Sequence, residues 1–252
     1  MLNEMTISIL HRLKLFGMTR GLEERLHNPQ HAELSHEEFV GLLVEDEKIH
    51  RDNKRLKRLL KNAKLKYPSA AMEDINYRQE RGLNKQVMLQ LANTQWIGQH
   101  RNVIFTGATG LGKSWLACAL GNLAARAGLS VAYHRTPRLL EMLHQARGDG
   151  THLRALAHLA KTQLLILDDV LLTPLSEEER VDFLEIVEDR YAAGATVLTS
   201  QYGGKDWHER IGDPTIADAI CDRLFHNAYK IDLQGKESIR KLEGIEQECV
   251  AR

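Results

Sequence analysis

Gly107-Ala108-Thr109-Gly110-Leu111-Gly112-Lys113-Ser114 decides how this chain of 252 residues is read. The stretch fits the phosphate-loop pattern G-x-x-x-x-G-K-[ST] at every fixed position. Val103-Ile104-Phe105-Thr106 before it reads as a short apolar strand. The residues after it, to Arg126, read as a helix closed by Gly128. Glycines let such a loop wrap backbone N–H groups around phosphate oxygens, and the following helix adds the positive end of its dipole. In that setting Lys113 reaches the β- and γ-phosphates of a nucleotide and Ser114 ligates Mg²⁺. The candidate nucleotide contacts are therefore Gly107, Ala108, Thr109, Gly110, Leu111, Gly112, Lys113 and Ser114, with Trp115 next in line. By average residue usage the bare pattern arises by chance in only about one chain of this length in a hundred.

A phosphate loop needs an acid at the end of a later strand. Leu164-Leu165-Ile166-Leu167 ends in Asp168-Asp169. The first acid is placed to hold Mg²⁺ and the second to polarise the attacking water. Taken alone, the pair reads equally well as a turn after a strand. Outward from these two points the texture is strand–helix alternation. Ser130 to His134 reads as a strand. Thr136-Pro137, a cap followed by a proline at the first helical position, opens a helix ending at Gly148, and Thr151 starts another. Ser176 with Glu179 forms a capping box, and Ala195 to Thr199 reads as a further strand. The expectation is an α/β domain with a mainly parallel sheet over residues 86–252.

Residues 1–66 carry no convincing strand and no glycine cluster, and read as a small all-helical domain. Ser35 and Glu38 form a second capping-box pattern. Charge is segregated here. Residues 33–47 hold six acids and no Lys or Arg, whereas residues 48–66 hold nine basic residues against Asp52 alone. Leu56, Leu59, Leu60 and Ala63 fall at helical spacing, so 48–66 reads as one amphipathic helix with a basic face. Residues 67–85 read as a linker.

The whole chain holds 34 Lys plus Arg and 34 Asp plus Glu. That balance argues against a globally basic nucleic-acid module. A hydrophobic content of 43% argues against a disordered chain. Cys118, Cys221 and Cys249 are few and far apart, which fits a reducing compartment and gives no metal-ligand pattern. No secretory signal and no membrane-length apolar run is visible, so the expected place is the cytoplasm.

The phosphate loop, Leu-Leu-Ile-Leu-Asp-Asp, Leu-Thr-Ser-Gln and Ile-Ala-Asp-Ala-Ile-Cys-Asp-Arg-Leu-Phe-His, in this order, resemble the IstB family. These are AAA+ ATP-binding helper proteins of bacterial insertion sequences, related to the DnaC helicase loaders. The resemblance covers nearly the whole chain and implies an AAA+ domain behind a helical N-terminal domain, with the lid absent or reduced. It implies that Asp168 is the Walker B metal acid and that Asp169 stands where many AAA+ proteins carry Glu. That residue is one methylene longer, which puts fast turnover in doubt. It places the sensor-1 polar residue at Thr199 or Ser200, with Ser200 favoured. Arg223 takes the position of an arginine finger directed at a neighbour's γ-phosphate, against the default of a helix-surface arginine. Arg240 takes that of a sensor-2 or nucleotide-contacting residue.

The implied partners are double-stranded DNA, the transposase of the same element, and further copies of the chain in an ATP-dependent ring or helical oligomer. Two basic features compete for DNA: Lys54, Arg55, Lys57, Arg58 and Lys61 on the basic helix, and Arg135, Thr136 and Arg138 after the second strand. Both could equally be solvated surface. With no base-reading motif, contacts are expected to fall on phosphate and to weaken with salt. No acid set outside Asp168-Asp169 suggests strand cutting or joining. The alternatives are a DnaC-like helicase loader, a small-molecule P-loop kinase and a nucleotide-gated scaffold. A kinase would show no dependence of ATPase rate on DNA or protein concentration.

Overall fold

Ser35 accepts a hydrogen bond from the Glu38 amide at 3.2 Å, and Glu38 accepts one from the Ser35 amide at 2.9 Å. This reciprocal cap opens a long helix. The computed structural model describes residues 2–27, 34–77 and 81–235. The chain divides into two compact units, Met1–Arg58 and Leu59–Arg252.

The first unit contains α1 (Leu2–Arg12), α2 (Phe16–Leu26) and most of α3 (His36–Ala63). From His36 to Ala63, across the change from acidic to basic residues, the chain forms one continuous helix, α3. The acids act locally. Glu47 accepts from the Gly17 and Met18 amides at 2.7 and 3.2 Å, satisfying the start of α2, and pairs with Arg51 at 2.6 Å. Asp46 pairs with Arg25 at 2.5 Å. Gly17 makes the close approach possible, because a Cβ there would lie 2.5 Å from the Asp46 carbonyl oxygen. Helix α3 stops short of the expected end at 66, because Lys64 adopts the left-handed conformation with φ 49°.

The second unit holds a five-stranded, wholly parallel sheet in the order β2-β3-β4-β1-β5. Its strands are β1 (Asn102–Gly107), β2 (Val131–Arg135), β3 (Leu164–Val170), β4 (Ala195–Ser200) and β5 (Ala228–Leu233). Successive strand residues alternate between two cores. Val103, Phe105, Leu164 and Ile166 pack with α6 (Lys113–Arg126). Ile104, Leu165, Leu167 and Leu198 pack with helices of the other face. Those helices are α7 (Thr136–Asp149), α8 (His152–Lys161), α9 (Glu177–Arg190), α10 (Trp207–Ile211) and α11 (Pro214–Phe225). Burial on both faces explains the continuous apolar runs. The Ser176–Glu179 capping box opens α9 as read.

Part of the segment read as a linker is built into this unit. Ala70 and Ile75 are buried in the α6 core, and Asn122 donates to the carbonyls of Pro68 and Ala70 at 2.7 and 2.9 Å. Beyond it, α4 (Lys85–Ala92) and α5 (Gln95–Gly98) lead into β1. Thr136, read as a cap, is instead the first residue of α7, with Arg135 in the capping position.

Candidate nucleotide site

The loop between β1 and α6 turns on Gly107, Gly110 and Gly112, all at positive φ. Gly107 has a second constraint, since a Cβ there would overlap the Leu233 carbonyl of neighbouring β5. Lys113 begins α6, and its buried ammonium donates to the carbonyls of Gly107 and Ala108 at 2.6 and 2.8 Å. The lysine thus folds back across the loop. Burial pulls its pKa below the usual lysine value, against the opposing charges of Asp169 and Asp168. Ala108 and Thr109 form the exposed tip, Leu111 is buried, and Trp115 packs half-buried on the α6 core.

Strand β3 runs past Leu167, so both Asp168 and Asp169 belong to it. Its register against β4 shifts between Leu167 and Val170, and Asp169 sits at φ 59°. Asp168 is fully buried. Its Oδ1 accepts from the hydroxyls of Ser114 and Thr199, each at 2.6 Å, and its Oδ2 from Tyr133 at 2.5 Å. Burial alone would raise this carboxyl's pKa. The three hydroxyls and the Lys66 charge outweigh it and hold the group below the usual aspartate range. Burial, then the bond to Asp168, pushes the Tyr133 phenol far up, so it remains a donor. Ser114 and Asp168 thus meet as hard oxygen donors, one of them a carboxylate, which is the donor chemistry that suits Mg²⁺.

Thr199 donates to Asp168 and accepts from the Asp169 amide at 3.0 Å, so it joins the two acids. Ser200 faces elsewhere: it donates to the Val170 carbonyl at 3.0 Å and accepts from the Tyr202 amide at 3.1 Å. The polar side chain that meets the acids is therefore Thr199, not the favoured Ser200. Asp169 accepts from Arg135 Nε at 2.8 Å.

The other expected site residues lie apart. Arg223, near the end of α11, pairs with Glu188 at 2.6 Å and donates to the Ala219 carbonyl at 2.9 Å. Asn102, at the start of β1, donates to the Arg223 carbonyl at 3.5 Å. The phosphate loop begins at the other end of β1, roughly 17 Å away by strand rise. Arg223 also lines a cavity of about 380 Å³ with Asn102, Arg190, Tyr191 and His226. Arg240 lies outside the described residues, as does Cys249. Burial pushes the thiols of Cys118 and Cys221 each up to about 11, which disfavours their thiolate forms.

Of the basic residues expected at DNA, Lys54, Arg55, Lys57, Arg58 and Lys61 are exposed along α3, and Arg138 is exposed on α7. Arg135 is engaged by Asp169. Thr136 is only 2% exposed, with its hydroxyl unpartnered, so it does not stand at the surface to meet a phosphate. Tyr133 and Lys66 join the nucleotide site at Asp168 without having been expected there. Tyr133 had a signal, since it is two residues before Arg135 on β2 and so shares its face. Arg135 is in register with Asp168. Lys66 had none.

The structure also gathers His152, Asp182 and Glu185. Here Asp182 Oδ1 already accepts from Arg147 and, at 2.9 Å, pairs with His152. The group ties α7, α8 and α9 together.

The family model described as IstB-like ATP binding protein matches residues 8–246. The chain belongs to this family. A Sinorhizobium fredii protein named for an insertion sequence ATP-binding role, y4pL, is 48% identical over 241 residues, covering 96% of this chain and 98% of that protein. The IS21 insertion sequence ATP-binding protein of Pseudomonas aeruginosa is 32% identical over 235 residues, covering 93% and 88%. Among solved structures, the DnaC helicase loader matches with a TM-score of 0.55 at 19% identity, over 67% of this chain and 98% of that one. The IstB-like chain thus shares the AAA+ P-loop fold, with ATP as the family's ligand. Among the described residues, no helix is long and apolar enough to cross a membrane.

Proposed function

We propose that this IstB-like chain is the ATP-driven target-DNA factor of an insertion sequence. It assembles on double-stranded DNA with ATP bound, presents that DNA to the element's transposase, and hydrolyses ATP when stimulated. Strand cutting and joining belong to the transposase. The observation that carries this reading is the Arg135–Asp169 pair. It joins an arginine of the segment expected to meet DNA to the acid expected to polarise water.

The chain's own residues divide the work. The loop amides and the start of α6 bind the phosphates, and Lys113 exchanges the carbonyls of Gly107 and Ala108 for phosphate oxygens. Ser114 and Asp168 hold Mg²⁺, which supplies charge stabilisation to the phosphates when bound. Asp169 orients the attacking water once Arg135 releases it. Thr199 keeps the two acids in fixed relation. Arg223 is too far from its own loop and serves that of a neighbouring copy. The exposed cations of α3 and Arg138 meet DNA phosphates.

The deciding experiment is electron microscopy of the full chain with DNA, in ATP and in ADP, alongside ATPase rates with and without DNA. Assembly on DNA in ATP and a DNA-stimulated rate support the reading. A rate indifferent to DNA and to protein concentration fits a small-molecule kinase and overturns it. The likeness to the DnaC loader's fold keeps one second reading, a helicase loader. Pull-down from cells holding both a replicative helicase and the transposase separates the two.

A further inference from the structure

Lys66 is not part of the phosphate-loop pattern, yet its ammonium lies 3.6 Å from Oδ2 of Asp168. The two side chains differ sharply in surroundings: Asp168 is 0% exposed and Lys66 37%. Asp168 remains an anion, held by three hydroxyls that carry no formal charge. Lys113 spends its ammonium on two loop carbonyls. Lys66 is thus the cation paired directly with the buried acid. It also sits 5.6 Å above the Tyr67 ring, in the turn that follows the left-handed Lys64.

We propose that Lys66 is a positioning residue that stands in for the metal at Asp168 and competes with it. A divalent cation between Ser114 and Asp168 meets the repulsion of the Lys66 charge. Once bound, that cation removes the reason for Lys66 to stay, and solvent is open to it. Metal occupancy is thereby felt by the 64–66 turn, directly after α3. This inference rests on the reading of Ser114 and Asp168 as the Mg²⁺ site.

The test follows binding of a fluorescent ADP analogue to the full chain as Mg²⁺ is raised from an EDTA baseline. Lys66→Met is expected to lower the half-saturating Mg²⁺ concentration about three- to tenfold, the scale of one unit charge acting across a partly solvated cleft. Lys66→Gln should match it, and Lys66→Arg should restore wild-type behaviour. Binding in EDTA and the melting temperature report folding. Should a neutral variant fail to fold, acetylation of Lys66 in the wild-type chain decides. The amine should react faster with Mg²⁺ and ADP than with ADP in EDTA. An unchanged or higher Mg²⁺ requirement in Lys66→Met, or an unchanged acetylation rate, overturns the proposal alone. A wild-type chain whose nucleotide binding ignores Mg²⁺ overturns the metal-site reading as well.

Discussion

Nε of Arg135 donates to Oδ2 of Asp169 at 2.8 Å, joining the last residue of β2 to the second acid of β3. The arginine is 44% exposed and the acid 21%, so a phosphate approaching from solvent can compete for the guanidinium. Replacing Arg135 with Ala should raise the ATPase rate measured without DNA severalfold and leave little further stimulation by DNA. A basal rate that falls instead would assign Arg135 to organising the acid rather than restraining it.

Arg223 faces away from its own phosphate loop. Arg223→Ala should lower turnover by about 10³-fold or more, the effect of a lost arginine finger. Nucleotide affinity of the dilute chain should stay near wild type. Specific activity of the wild type should also rise with protein concentration. Undiminished turnover in the variant would return Arg223 to a surface ion pair with Glu188.

Asp168 gives a pH signature. Its folded pKa is depressed, so its ionisation stabilises the fold at pH values above the ordinary aspartate value of about 3.9. That contribution disappears as pH falls through the lowered folded value. Denaturant midpoints of wild type and Asp168→Asn should therefore differ by a constant amount near neutrality. The difference should shrink progressively as pH falls below about 4, and a difference that does not change with pH in that range would show that ionisation of Asp168 adds no stability.

Arg190 is the strongest structural prediction. Its buried guanidinium donates to the carbonyls of Leu159, Thr162 and Ala195 and to the Thr196 hydroxyl, and no carboxylate is among these partners. Burial brings its pKa down to about 10. Arg190→Met strands these acceptors, and the loss of unfolding free energy should exceed about 3 kcal/mol. Calorimetric melting checks it, and a variant within about 1 kcal/mol of wild type would show that water replaces the guanidinium.

The phosphate loop, the paired acids and four of the five strands were legible because each follows from a local rule: fixed glycines, apolar runs buried on both faces, caps. Strand β5 was not. It lies at the sheet edge, and in Ala228–Leu233 the exposed Lys230 and Asp232 break the apolar run. The change of charge sign at residues 47 and 48 suggested a break in what is one helix, because charge is carried on the surface and does not end a helix. Thr199 and Ser200 are chemically alike and adjacent. As adjacent strand residues they face opposite sides of β4, but which of them meets the acids is set by pairing with β3, whose register shifts between Leu167 and Val170. Lys66 meets Asp168 across a hundred residues of chain, and no sequence spacing encodes that contact.

The placement of Lys113 and Arg223 toward opposite ends of β1 gives each chain a direction. If every copy finishes its neighbour's site, contacts run head to tail between unlike surfaces, not between two identical ones. An open arc then carries one empty half-site at each end and always one fewer complete site than it has subunits. Short arcs are poor enzymes, and closing or lengthening the arc raises activity per chain. Two dead variants, one lacking Lys113 and one lacking Arg223, should recover part of the rate when mixed, because each supplies the half the other has lost.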